Sequence, residues 1–169
     1  MSRASAFLVD IDGVVLKDDE ALPGARELVE WLLASSRRFL FLTNYPSQTP
    51  GDLAGRLGGS GIEVPPSHFF TSAMATAEFL DNQAGTRRRA FVVGEGALVH
   101  ELYKIGFTIS ETDADFVVLG ETRHYNFEMI QRAAVMARST SVSRESGRES
   151  VRLRSLKVKL RTCSVVTWP

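Results

Sequence analysis

A single cysteine, Cys163, stands among the 169 residues. No intrachain disulfide can form and no cysteine cluster can hold a metal, which fits a reducing compartment. No apolar run approaches the roughly 18 residues that a membrane span requires, so no membrane partner is expected. The opening Met-Ser-Arg-Ala-Ser lacks the layout of a signal peptide, and a cytoplasmic protein is expected. Histidine is also scarce: His68, His100 and His124 show no metal-ligand spacing and read as structural or surface residues. Acid is missing from one stretch. Residues 138–169 hold no aspartate and carry 8 Lys and Arg against 2 Glu, while residues 1–137 carry 12 Lys and Arg against 18 Asp and Glu. The zero net charge therefore hides −6 followed by +6. Such a split points to a basic tail with an anionic partner or to a tail of different origin.

What is present is an α/β rhythm, at a length that suits one domain or one domain and part of another. Phe7 to Asp10 reads as a strand. Pro23-Gly24 opens a helix with Ala25, Leu28, Val29, Leu32 and Leu33 at helical spacing. Arg38 to Asn44 is an almost wholly apolar second strand, as in a parallel sheet covered on both faces. Strand, helix and strand in that order give a right-handed βαβ unit. Thr49-Pro50-Gly51-Asp52 reads as a capped helix start, and Gly58-Gly59 as its end. His68 to Thr71 is a short third strand, and Ser72 caps a helix carrying Ala73, Ala77 and Leu80 on one face. After Gly85-Thr-Arg-Arg-Arg the rhythm restarts, with a strand at Ala90 to Val93, a helix from Gly96 to Ile105 stopped by Gly106, a strand at Asp115 to Gly120, and a helix from Asn126 to about Ala137. From Arg138 onward the Ser- and Arg-rich composition reads as disordered, with Val151 to Leu160 a candidate basic edge strand. Arg87-Arg88-Arg89 has no aromatic interleaving and reads as a solvated linker, so no nucleic-acid partner is expected. Gly94-Glu-Gly96 lacks the G-x-G-x-x-G pattern of dinucleotide binding.

The chemistry gathers at two strand ends. In a strand, Asp10 and Asp12 point the same way about 7 Å apart. Gly13 then lets the backbone turn and brings amide groups near. Paired carboxylates at the mouth of a buried strand call for a cation or for chemistry. Thr43 and Asn44 end the neighbouring strand, and ligands of open α/β sheets bind outside such ends. A hydroxyl, an amide and the helix start near Asp52 suit phosphate oxygens. Carboxylates beside a phosphate imply Mg²⁺ between them. One aspartate could then attack phosphorus while the other protonates the leaving oxygen.

Asp10-Ile-Asp12-Gly13-Val resembles motif I of the haloacid dehalogenase (HAD) superfamily, and Leu42-Thr43-Asn44-Tyr-Pro-Ser-Gln-Thr resembles motif II. Thr71-Ser-Ala-Met-Ala-Thr-Ala, Val93-Gly-Glu-Gly-Ala-Leu and Val118-Leu-Gly-Glu-Thr are similar to the NagD-type branch. The likeness covers residues 6 to about 137. It implies an α/β fold: the first half of a HAD-like Rossmannoid core with a parallel sheet over residues 1–84, then a partial α/β cap over residues 85–137, with residues 138–169 a divergent basic tail. It implies a Mg²⁺-dependent phosphatase acting on a phosphorylated small molecule, a nucleoside monophosphate such as UMP or a sugar phosphate. In that reading Asp10 is the nucleophile that forms an aspartyl-phosphate and Asp12 the general acid and base. Both contact Mg²⁺, and Thr43 and Asn44 bind the phosphate.

The resemblance also calls for a motif III lysine and a motif IV G-D-x-x-x-x-D cluster after the cap. Neither occurs: the lysines of residues 138–169 are Lys157 and Lys159, in other contexts. The expectation is therefore activity far below that of a full-length relative. The alternative is a catalytically inactive truncated remnant, or a partner-binding fragment. A phospho-receiver domain, which also gathers aspartates at strand ends, would lack the paired D-x-D-G.

Overall fold

A computed structural model describes residues 6–35, 37–45, 47–142 and 163–166. The elements in chain order begin with β1 (Ala6–Asp10), β2 (Leu16–Lys17), β3 (Glu20–Ala21), α1 (Ala25–Ala34), β4 (Arg38–Thr43), α2 (Pro50–Gly59) and β5 (Phe69–Thr71). They continue with α3 (Ser72–Ala84), β6 (Arg89–Val93), α4 (Gly96–Lys104), β7 (Thr108–Ile109), β8 (Phe116–Gly120), α5 (Phe127–Val142) and β9 (Cys163–Val166). The fold is α/β, and the chain divides into two compact units, Met1–Thr71 and Ser72–Pro169. Among the described residues, no helix is long and apolar enough to cross a membrane.

In the first unit β1, β4 and β5 form a parallel sheet in the order β1-β4-β5. Phe7 and Val9 stand opposite Phe39 and Phe41, so alternate side chains of both strands enter one apolar cluster. Val29 and Leu32 of α1 and Leu53 and Leu57 of α2 close that cluster from the same side of the sheet. Each fully buried Leu or Phe there contributes about 1.5–3 kcal/mol of transfer free energy. Of the apolar positions expected to line α1, Ala25, Val29 and Leu32 are buried, whereas Leu28 and Leu33 are exposed. Trp31 lies edge-on to Phe7 with ring centres 5.5 Å apart, and the Arg37 guanidinium covers both rings. His68 stacks on Phe39, a structural placement.

One short element departs from the sequence reading. Leu16 to Glu20, expected as a polar loop, carries β2, which pairs antiparallel with β3. Their two-residue turn, Asp18-Asp19, takes positive φ at both positions (52° and 76°). Those are the angles that let a two-residue turn follow the natural strand twist, and aspartate tolerates them better than most residues.

The second unit has its own sheet, ordered β7-β6-β8-β9. Ala73, Ala77, Leu80 and Ala84 of α3 share a cluster with Leu98 and Leu102 of α4, Phe107 and Phe116. The Asn126 side chain accepts from the Met129 amide at 2.8 Å at the start of α5, as an N-cap should. The stretch 138–169, read from sequence as disordered, contributes the last turn of α5 and all of β9, which pairs antiparallel with β8. Val165 and Val166 suit such pairing, being β-branched. The candidate strand at Val151 to Leu160 lies outside the described residues.

The start of α2 is a complete capping box. The Thr49 hydroxyl accepts from the Asp52 amide at 3.2 Å, and the Asp52 carboxylate accepts from the Thr49 amide at 2.8 Å. The Thr49 hydroxyl and then the Thr49 amide hold the Asp52 carboxyl below its ordinary value. Thr49→Ala should therefore destabilise the first unit by about 0.5–2 kcal/mol in urea unfolding at neutral pH. The Asp52 contribution is present above the unfolded carboxylate value, near 3.9, and is lost as pH falls through the lowered folded value. The difference between wild type and Asp52→Asn should accordingly shrink on acidification below about pH 4. A gap that widened there would contradict this.

Candidate active site

β1 delivers Asp10 to the end of the sheet, opposite Leu42 of β4, and Thr43 is the next residue on that neighbour. The parallel register thus brings Asp10, Thr43 and Asn44 to one end, as the sequence pattern expects. Alternation sets Asp10 on the Leu42 side of the sheet and Thr43 on the Phe41 side. Asp10 is exposed, and its Oδ1 accepts from the Ile11 amide at 2.9 Å. Thr43 is buried, and its hydroxyl accepts from the Tyr45 amide at 3.0 Å, which turns the chain away after the strand. Asn44 is exposed at the strand end.

Beyond Asp10 the chain wraps tightly. The amides of Val15 and Leu16 both donate to the Ile11 carbonyl at 2.9 Å, and the Gly13 amide donates to the Leu16 carbonyl at 2.7 Å. Ile11, Val15 and Leu16 are fully buried and anchor the loop. Gly13 has φ of +83°. Asp12 stays at the surface, and its Oδ1 accepts from Arg56 Nη1 at 2.9 Å. The same guanidinium donates from Nε to Asp19 Oδ1 at 2.5 Å. Asp19 first, and then Asp12, raise the Arg56 value above its ordinary one, against desolvation.

Arg56 and Asp19 were not among the residues singled out from sequence, because a contact across 44 and 37 positions leaves no local pattern. The Asp18-Asp19 pair, a turn sequence between Leu16-Lys17 and Glu20-Ala21, was the available signal. The α2 start, expected to offer donors to phosphate, uses the Thr49 amide and hydroxyl on the Asp52 carboxylate instead. Gln48 Oε1, in the loop after Asn44, is buried with no hydrogen-bond partner. Among the described residues, no group of three or more His, Cys, Asp or Glu is placed to hold a metal.

Asp10 at the end of a parallel strand is followed by the tight Gly13 turn, and the comparisons with known proteins give the family in which this arrangement falls. Residues 7–108 match the model of the haloacid dehalogenase-like hydrolases, and the chain belongs to that family. It is 54% identical over 127 residues to the ribonucleotide monophosphatase NagD of Escherichia coli K12, a match covering 75% of this chain and 50% of that protein. It is 44% identical over 130 residues to a dihydroxyacetone phosphatase of Corynebacterium glutamicum, covering 76% of this chain and 46% of that one. The solved structure of E. coli K-12 NagD superposes with a TM-score of 0.76 at 49% identity, over 81% of this chain and 54% of that chain. A glycerol phosphate phosphatase from Mycobacterium tuberculosis, solved with magnesium, superposes with a TM-score of 0.71 at 28% identity, over 80% of this chain and 41% of that one. The chain spans about half the length of the curated relatives it matches.

The glycine turn sets a test of the loop. A Cβ on Gly13 meets nothing within 4 Å, so only its positive φ opposes a side chain. Gly13→Ala should destabilise by about 1–2 kcal/mol. Gly55→Ala, inside α2 and equally open, should stabilise by about 0.5–1 kcal/mol. Chemical denaturation of the two variants checks the pair, and equal effects would contradict the strain at Gly13.

Proposed function

We propose that this chain carries the phosphoryl-transfer site of a phosphatase acting on phosphate monoesters of small molecules, nucleoside monophosphates first. The observation that carries this reading is the placement of Asp10, the Asp12 loop and the Thr43-Asn44 strand end at one end of a parallel sheet. The names of the relatives, a ribonucleotide monophosphatase and a dihydroxyacetone phosphatase, support phosphorylated small molecules as the substrate class. Residues 1–84 are assigned to the first half of a hydrolase core, and residues 85–137 to part of a cap. The proposed location is cytoplasmic.

In the proposed reaction an Asp10 carboxylate oxygen attacks phosphorus. The bond from phosphorus to the ester oxygen breaks, and that oxygen takes a proton from the Asp12 carboxyl. The phosphate now sits on Asp10. A water then attacks phosphorus and gives its proton to the Asp12 carboxylate, and the bond to Asp10 breaks to release inorganic phosphate. Thr43 and Asn44 orient the phosphate. Mg²⁺ suits this donor set, because the ion commonly takes only one or two carboxylates and completes its shell with water and substrate oxygens. Asp10 would hold it by its exposed carboxylate and Asp12 by its backbone carbonyl. The ion would supply charge neutralisation between carboxylate and phosphate.

A second reading, a partner-binding fragment without turnover, is favoured by the free side of β1. That strand pairs with β4 alone among the described strands, and Leu8 on it is 69% exposed. The purified chain, assayed with Mg²⁺ on nucleoside monophosphates, sugar phosphates and p-nitrophenyl phosphate, decides between the two. Turnover that Asp10→Asn reduces to the uncatalysed background is expected. Release of phosphate at the same rate by both proteins would sink the phosphatase reading for this chain.

A further inference from the structure

The side chain that ties the site loop together is one that neither the motifs nor the relatives' names point to. Arg56 lies in the last turn of α2, where its charge also suits the helix C-terminus. Its side chain is 20% exposed, and its guanidinium bridges two carboxylates that belong to different parts of one loop. Nη1 holds Asp12 Oδ1 at 2.9 Å, and Nε holds Asp19 Oδ1 at 2.5 Å. A guanidinium is rigid and planar, so two carboxylates bound to one fork are fixed relative to each other. Ser60, one turn further along, donates its hydroxyl to the Asp19 carbonyl at 2.6 Å. Asp19 is thus held twice, at a residue whose φ of 76° lies in the left-handed region. The β2–β3 hairpin consequently docks on α2 through its turn, while its other end is pinned to the Asp12 loop by the Leu22 amide on the Val15 carbonyl at 2.9 Å.

We propose that Arg56 is a positioning residue: it orients the Asp12 carboxylate for proton transfer and locks the β2–β3 hairpin beside the site. This rests on the reading of Asp12 as general acid and base. Engaging Oδ1 fixes the carboxylate plane and leaves Oδ2 as the oxygen that serves the ester. Both carboxylates of the bridge are largely exposed, at 51% and 72%, and ion pairs to such groups add little to global stability, so removing Arg56 should leave the fold standing. What is lost is geometry, and that falls unequally on substrates. An alkyl phosphate needs its leaving oxygen protonated. A p-nitrophenolate leaves without help. The loss of a well-placed acid therefore separates the two esters.

The experiment compares wild type, Arg56→Met, Arg56→Lys and Asp19→Asn. Circular dichroism and gel filtration confirm that each is folded. Amide hydrogen exchange over residues 13–22 is the first readout, and it needs no turnover. Arg56→Met and Asp19→Asn should each speed exchange in the hairpin, and their combination should do so no more than either alone. Arg56→Lys should recover little, since an ammonium keeps the charge but lacks the fork. Hydrolysis of glycerol phosphate and of p-nitrophenyl phosphate is the second readout. Arg56→Met should lose about 10²-fold on the alkyl ester, while losing only a few-fold on the aryl ester. In an Asp12→Asn background that difference should vanish. Hairpin exchange unchanged by Arg56→Met overturns the lock whether or not the chain turns over. Equal losses on both esters, or full rescue by lysine, overturn the orienting role. A wild-type chain that hydrolyses neither ester overturns the phosphatase reading and with it the proton-transfer half, while exchange still decides the lock.

Discussion

The candidate site depends above all on the register of β1 against β4. Phe7 and Val9 face Phe39 and Phe41 in the first unit's apolar cluster, and this alone determines that Asp10 falls opposite Leu42 at the open end. A slip of one residue would turn Phe7 and Val9 out of the cluster and Leu8 and Asp10 into it. An ionised carboxylate without a partner costs several kcal/mol to bury, far more than a shifted ladder could recover. Apolar packing on one face therefore specifies where a charged group emerges at the end of the sheet. The loop that follows obeys the same logic: Ile11, Val15 and Leu16 are fully buried, and Asp12 between them is left at the surface.

That dependence has a weak side. Among the described strands β1 has one neighbour, and a parallel sheet is normally covered on both faces. Leu8 remains 69% exposed on the face opposite the cluster. An unpaired strand presents its amides and carbonyls to any chain able to pair with them. Asp10 sits on this strand, so order at the site is tied to an element held by one ladder and one apolar face. Trp31, packed edge-on against Phe7 under Arg37, adds support near the start of β1 rather than at the Asp10 end.

The parts legible in the sequence are those whose cause is local. The apolar runs of β1 and β4, the Thr49 cap and the Gly106 stop each follow from neighbours within a few positions. The family resemblance rested on ordered short motifs of this kind, and the match over residues 7–108 agrees with it. Arg56 was not legible, because it is defined by contacts across 37 and 44 positions; the hairpin is local, and its signal was the short Asp18-Asp19 turn between two-residue strands. Even where the cap was read correctly, its reciprocal half was not: Asp52 suits the helix dipole from sequence, but in the fold its carboxylate also returns to the Thr49 amide. The length of α5 escaped for another reason. Its last residues, Ser-Thr-Ser-Val, have poor helix propensity, so the sequence pattern ends near Ala137 while the helix runs to Val142.

The reciprocal cap bears directly on how a phosphate could be held. A helix N-terminus attracts anions because its first amides are unpaired. At α2 the Asp52 carboxylate is already that anion, taking the Thr49 amide and hydroxyl. The Ile11 amide is likewise engaged, by Asp10 itself. Next to Asp10 on the chain stands Asp12, and the one Arg56 guanidinium is shared between Asp12 and Asp19. A dianionic phosphate arriving beside Asp10 would meet net negative charge, and at about 4 Å each like-charge pair opposes it by some 1 to 4 kcal/mol between bulk water and a protein surface. Hydrogen bonds from Thr43 and Asn44, in their proposed role, would not change the sign of that field. On the proposed phosphatase reading, a cation between carboxylate and phosphate would offset that repulsion, and the exposed Asp10 carboxylate would be its ligand.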